Sequence, residues 1–429
     1  MLEHLTYHVY PDVRGDAFDC GAPDTAILRE LMKRFAEAAA HERNAELRAL
    51  WRAHNSLKAP RPLVAVWAEN WLEVPEVCNL QCQSEAARGL EFRLRQLLWQ
   101  WHNVPDDKPL EATLSVRKVA HWSDWGLPVL RNQHGGEGDA WGFVPVINTM
   151  EDARKLHSPT IEYDEATSLK KLDRVRELFG DILPVRLSGV QEISYHICMQ
   201  YSDWRGLQNL YTDFYDEPEM LAHIMDKLKE GYQSILRQME AQELLDLNND
   251  GTYQGTGGLG YTDELPGPGF TGHVRPRDMW GSAEAQELAQ VSPRMHREHL
   301  FVREAELLRP FGLTEYGCCE PLHDKLDDVL ALPGIRKISA SPWADIGKYA
   351  DKVGRKAITS WKPNPAWLSD GHDEAWVQRQ LDEGVRILKD CAFEVLLEDL
   401  RTCSGKPERI GQWVRMVRQA LRNSGFAAI

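Results

Sequence analysis

The chain has no apolar stretch approaching the roughly 18 residues that a membrane-spanning helix needs, and it has no basic face. Its 50 Lys and Arg are scattered among 65 Asp and Glu, giving a formal net charge of -15. Nucleic acid and anionic membranes bind through counterion release from clustered cations, so neither is expected as the main partner. The opening MLEHLTYHVYPDVRGD lacks a basic segment followed by an apolar run, which points to the cytoplasm. In that reducing compartment the eight cysteines are expected as free thiols or ligands, not disulfides. Cys78 and Cys82 lie four apart with no second pair nearby, which suits core packing.

A dinucleotide loop is also missing. The run GTYQGTGGLGYTDELPGPGF (251–270) follows the apolar LLDLN, but a long Pro-containing loop comes next where phosphate binding needs an immediate helix N-terminus. It reads as a mobile loop over an active site.

What is present is enough apolar material, 43% of 429 residues, for one large α/β barrel with extensions or for two domains. From Asp24 to about His102 the pattern is helical, with stripes at Ile27, Leu28, Leu31, Met32, Phe35 and at Leu90, Leu94, Leu97, Leu98, Trp101. The strand-like RPLVAVWAE (61–69) interrupts it. From about Glu111, strands and helices alternate, with strands expected at 112–120, 141–147, 182–189, 244–248, 312–317, 335–341, 355–360 and 392–399. Asp216, Pro218 and Glu219 start a helix carrying Leu221, Ile224, Met225 and Leu228. Such alternation implies parallel strands with right-handed crossovers, and eight or nine strands fit a closed (β/α)8 barrel. The expected division is a mostly helical segment 1–110 followed by a barrel and C-terminal helix over 111–429.

Barrel chemistry sits at the carboxyl ends of strands. That rule selects LTEYGCCEPLHDKL (313–326), where Cys318, Cys319, Glu320 and His323 follow one strand; Trp343 and Asp345 after the next; Trp361, Lys362 and Asn364 after the third; and Thr402 and Cys403 after the last. Cys391, at the opposite end, reads as structural. Side-chain alternation places Thr314, Tyr316 and Cys318 on one face and Leu313, Glu315 and Cys319 on the other. Leu313 suits the helix layer, so the first set is expected inward. Adjacent cysteines also have a plain packing role as small buried side chains.

The pieces LYTDFYDEPEMLAHIMDKL (210–228), DMWGSAEAQELAQVSPRMHREHL (278–300), the run from Gly312 to Leu368 and GKPERIGQWVRMVRQAL (405–421) together resemble the uroporphyrinogen decarboxylase-like superfamily, in particular its corrinoid-linked, zinc-dependent methyltransferases. The resemblance covers about half the chain, is diffuse, and implies a TIM barrel of that type with a helical N-terminal extension. The Arg-x-x-Gly-Arg element that grips porphyrinogen carboxylates is absent from RPLVAVWAENWLEVPEV. The zinc methyltransferases' His-x-Cys reads Tyr316-Gly317-Cys318 here, and their later cysteine corresponds to Cys403. The resemblance thus implies zinc on Cys318 and Cys403, completed by Glu315, Cys319 or His323. A literal His196-Ile197-Cys198 lies in the wrong part of the barrel for that motif and reads as structural or supporting. Tyr316, Trp280, Asp278, Trp343, Trp361 and Lys362 are the expected substrate-binding residues, the tryptophans framing an aromatic or methylammonium group. The implied activity is methyl transfer between a small-molecule methyl donor and a corrinoid carrier protein or thiol, since the chain has no Asp-x-His-x-x-Gly cobalamin motif of its own. A metal-free carboxy-lyase is the alternative.

Overall fold

The computed structural model describes residues 8–133, 141–255 and 257–426. Ten parallel strands carry the fold: β1 (Asp12–Val13), β2 (Leu63–Ala68), β3 (Leu114–Arg117), β4 (Val185–Ser188), β5 (Ser194–Tyr195), β6 (Trp280–Ala283), β7 (Leu313–Tyr316), β8 (Ile335–Ala340), β9 (Ile358–Trp361) and β10 (Phe393–Leu400). Seven form a curled half-barrel in the order β2-β10-β9-β8-β7-β6-β5, and three form a second sheet in the order β1-β3-β4. Helices return the chain between successive strands from β6 onward. The one covering β9 and β10, Glu374–Leu388, buries Val377, Leu381, Val385 and Leu388, the one-sided stripe of an amphipathic helix.

The α/β alternation is as the sequence implies, but the ring is not one continuous eight-stranded ladder. Val190 and Leu245 make a single parallel bridge, so the expected strand 244–248 does not form as a ladder. The expected strand at 141–147 shrinks to Trp141–Phe143, paired antiparallel with Arg131–Gln133 outside both sheets. At the other seam, side chains replace a neighbour strand along the free edge of β2. The amide of Val64 donates to Asp107 Oδ2 at 2.9 Å, that of Val66 to Asp106 Oδ2 at 3.1 Å, and the Val66 carbonyl accepts from Gln100 Nε2 at 2.8 Å. Asp107 is itself fixed by Arg61, with both guanidinium contacts at 2.8 Å. β2, drawn from the expected helical segment, therefore lies inside the half-barrel, and the helix Arg43–Asn55 sends Trp51 and His54 into its buried interior.

The glycine-rich run, expected as a mobile loop over residues 251–270, is buried over most of its first half and exposed at 263–264 and 268–269. Most of residues 251–262 are buried, and barrel groups hold this stretch: Lys337 Nζ donates to the Gly257 carbonyl, Trp280 Nε1 to that of Gly260 at 2.9 Å, and Asn55 Nδ2 to those of Leu259 and Tyr261 at 2.8 Å each. Gly258 has φ +97°, and a Cβ there would lie 2.7 Å from the Trp51 ring. A segment threaded through the interior needs every carbonyl matched by a buried donor, and these side chains supply several of them.

Candidate active site at the strand ends

Where β7 ends, Gly317 adopts φ +96°, a conformation that L residues rarely take, and turns the chain so that two thiols face one another. Cys318 Sγ lies 3.5 Å from Cys319 Sγ. Ser339 Oγ donates to the Cys318 carbonyl at 2.7 Å, and the Cys318 amide donates to Glu320 Oε2 at 2.9 Å. The other Glu320 oxygen takes the Ala285 amide at 3.0 Å, so one buried carboxylate ties together the ends of β6 and β7. The contact with Cys319, and then burial, raise the Cys318 thiol well above its usual value. The cation of Lys362, just past β9, acts in the opposite sense.

Lys362 is buried and pairs with Glu398 at 2.8 Å. Burial disfavours its charge, but Glu398 and then the nearby thiols outweigh this and hold it protonated. Glu398 also accepts from Tyr253 Oη at 3.1 Å, which brings the threaded loop to the same place. β10 carries a register irregularity between Leu397 and Leu400, and Asp399 sits at φ +54°. Left-handed backbone at a non-glycine residue is strained, and here it accompanies a contact: Cys319 Sγ is 3.5 Å from Asp399 Oδ2.

Beside the thiols, His196 follows β5 and Glu284 follows β6, and their Nδ1 and Oε1 atoms are 2.6 Å apart. Burial alone would lower the imidazole's affinity for a proton; the carboxylate more than offsets this and raises it. Glu287 is pushed up to about 7 by burial and by Glu284, and Glu320 is raised for the same two reasons. Burial and mutual repulsion thus favour the protonated forms of Glu287 and Glu320 beside the imidazole.

The expected site residues are only partly gathered. Cys318, Cys319 and Lys362 stand together. Trp343, 69% exposed, follows β8, and His323 accepts the Asp345 amide at 3.3 Å. The remaining residues lie elsewhere. Tyr316 points into the helix layer, where its hydroxyl donates to Glu304 at 2.6 Å and its ring packs on Phe301. Glu315 takes the inward place, beside Lys337 and Glu394, with neither oxygen hydrogen-bonded, and burial pushes it to about 8. The expected inward face of this strand is thus reversed, because Leu313 packs inside against Trp280 and Leu265 instead of under a helix. Trp280, first in its strand, is buried under Gly260 at the end opposite the thiols; Asp278 precedes it and accepts the Arg275 amide at 3.2 Å. Trp361 packs outward with Val377, Leu381 and Val385. Cys403 is buried beside the turn after β2, its sulfur taking Asn70 Nδ2 at 3.3 Å and its amide donating to Glu73 at 2.7 Å. Burial, and then Glu73, push its thiol up to about 12.

The five expected zinc donors consequently do not form a set. Among the described residues no group of three or more His, Cys, Asp or Glu side chains is arranged to hold a metal ion. The soft donors that adjoin are Cys318 and Cys319, with Asp399 next to the second. As arranged they do not match the four-ligand demand of zinc.

No family model matches the chain, and no curated protein matches it. Among solved structures, a methyltransferase from Methanosarcina mazei superposes with a TM-score of 0.47 at 13% identity, over 88% of this chain and 98% of that one. No helix among the described residues is long and apolar enough to cross a membrane.

Proposed function

We propose that the protein transfers a methyl group from a heteroatom of a small substrate to a corrinoid carrier protein or a thiol. Two supports carry this reading: the sequence resemblance over residues 210–413, and the placing of a thiol pair, a buried cation and a proton-holding imidazole at neighbouring strand ends. Breaking a CH3–X bond leaves X with an electron pair that must be protonated or otherwise neutralised. His196, kept protonated by Glu284, is the proton donor to X. Cys318 and Cys319 offer soft sulfur beside the methyl group, and Lys362 opposes in part the Cys319 contact and the burial that keep the Cys318 thiol protonated. Trp343 is an exposed ring available to stack on an aromatic or methylammonium donor. Zinc enters this reading through the resemblance alone, and the adjoining soft donors Cys318 and Cys319 are too few as arranged to hold it.

The test offers methoxylated aromatics, methylamines and methylthiols to the protein with a reduced corrinoid carrier protein, and in parallel with a free thiol acceptor. The carrier's absorption spectrum reports methylation in the first arm, and methyl thioether formation reports it in the second. Transfer that collapses in His196→Ala and Cys318→Ser supports the reading. If no donor reacts while uroporphyrinogen loses carboxyl groups, the protein is the lyase instead.

A further inference from the structure

Adjacent residues of a strand point to opposite faces, so two neighbouring cysteines ordinarily keep their sulfurs apart. At the end of β7 the left-handed Gly317 turns the chain, and Cys318 Sγ and Cys319 Sγ lie 3.5 Å from one another. A disulfide bond is about 2.05 Å long, so the sulfurs need to close by roughly 1.5 Å. The backbone that carries them is held on both sides: the Cys318 amide donates to the buried Glu320 at 2.9 Å, and its carbonyl accepts from Ser339 Oγ at 2.7 Å. Both thiols are half-buried and so open to a small oxidant, whereas Cys20, Cys82, Cys198, Cys391 and Cys403 are buried.

The two sulfurs differ in their surroundings. Cys319 Sγ donates to Asp399 Oδ2 at 3.5 Å, a carboxylate brought to it where β10 turns through left-handed backbone. Cys318, raised by the Cys319 contact and by burial, keeps its proton and is the weaker nucleophile toward an oxidant. Joined, the pair would close a small ring through one trans peptide bond. Cα atoms across such a bond are about 3.8 Å apart, below the roughly 4.4 to 6.8 Å that ordinary disulfides span, so the ring is strained and easily reduced. Such strain excludes a permanent staple and fits a bond that is made and broken in use.

We propose that Cys318 and Cys319 form a redox-sensitive pair, which a peroxide converts to a vicinal disulfide. Asp399 takes the Cys319 proton, and the sulfur attacks the O–O bond to give a sulfenic acid; the hydroxide that leaves recovers the proton from Asp399 as water. Cys318 then displaces the sulfenic hydroxyl, which departs with the Cys318 proton as a second water. With hydrogen peroxide, both thiols are thereby oxidised and the peroxide is reduced to water. The bond forms whether or not the protein transfers methyl groups; under that reading it takes both sulfurs out of use.

Mass spectrometry of the full chain tests this without any methyl donor, so its failure is separate from failure of the methyl-transfer reading. Reduced protein is treated with equimolar hydrogen peroxide, alkylated with N-ethylmaleimide in denaturant and digested with trypsin, which leaves Cys318 and Cys319 as the cysteines of the peptide 304–325. That peptide should be unalkylated and lighter than its dithiol form by two hydrogens, and reduced glutathione added before alkylation should restore the thiols. Asp399→Asn, whose side chain keeps the shape and tolerates left-handed backbone, should slow the conversion about tenfold or more. In Cys318→Ser, dimedone should trap a sulfenic acid on Cys319. Retention of both thiols, accumulation of sulfinic acid, a bond that resists glutathione, an unchanged rate in Asp399→Asn, or absence of dimedone labelling in Cys318→Ser would each overturn the proposal.

Discussion

Glu284 Oε1 lies 2.6 Å from His196 Nδ1, joining the ends of two adjacent parallel strands through residues 88 positions apart. The contact sets the proton inventory of the strand-end site. The carboxylate raises the imidazole above its usual 6.5, so the protonated form persists to higher pH than an ordinary histidine allows. Activity that needs this proton should be full at low pH and fall as pH rises through the elevated value. In Glu284→Gln, burial acts unopposed by that carboxylate, and the alkaline limb of kcat/KM should move to lower pH. His196→Ala should cost roughly 100-fold or more in rate. An alkaline limb unmoved by Glu284→Gln would remove His196 from the role of acid.

The thiols separate into two classes by their surroundings. Cys318→Ser and Cys319→Ser should each change activity, and any zinc found by elemental analysis should fall with them. Cys403→Ser and Cys391→Ser should leave metal content as it is, because Cys403 is enclosed by Asn70 and Glu73 and Cys391 lies at the amino end of β10. Metal lost in Cys403→Ser but kept in Cys318→Ser would reverse the assignment.

Glu315 gives a stability prediction whose sign follows from its proton. Its folded value of about 8 lies above the ordinary 4.5, so the folded state retains a proton that the unfolded chain has released. The stabilising share of that proton is complete below about pH 4.5 and is lost as pH rises through 8. Glu315→Gln, which keeps the shape and cannot ionise, should be close to wild type at pH 5 and more stable by roughly 4 kcal/mol at pH 9. Thermal melts at the two pH values decide it, and a gain confined to pH 5 would contradict the account.

The threaded loop should behave as core. Gly258→Ala imposes both an unfavourable φ and a contact with Trp51, and should destabilise by about 1 to 3 kcal/mol. Proteases should not cut within 251–261 of the folded protein, with or without small-molecule additives. Cleavage there that slows on adding a ligand would restore the lid.

Local periodicity was enough to find seven of the ten strands, because runs such as IRKISA and FEVLLEDL have the β-branched and alternating character that a pleated sheet favours. It passed over β6, whose WGSA has no β-branched residue, as well as the two-residue β1 and β5. The position of the thiol pair was readable, since a strand end can be located from its own residues. The facing of β7 was not: alternation defines two faces without naming the inner one, and the threaded loop supplies an apolar interior that makes Leu313 an inward residue. Motif position sets His196 aside, while its partner Glu284 lies on another strand; resemblance selects Cys403, while the turn that encloses it lies some 330 positions earlier. Both depend on tertiary neighbours that no local window contains.

The seam beside β2 bears on how this protein fails. Six consecutive buried residues with one free edge would ordinarily be a template on which another chain could add a strand. Asp106 and Asp107 take up those amides, and their charges would repel a strand arriving in their place. Loss of Asp107 therefore does more than remove hydrogen bonds, because it uncovers an adhesive edge, and the damage should show first as concentration-dependent association of otherwise folded chains.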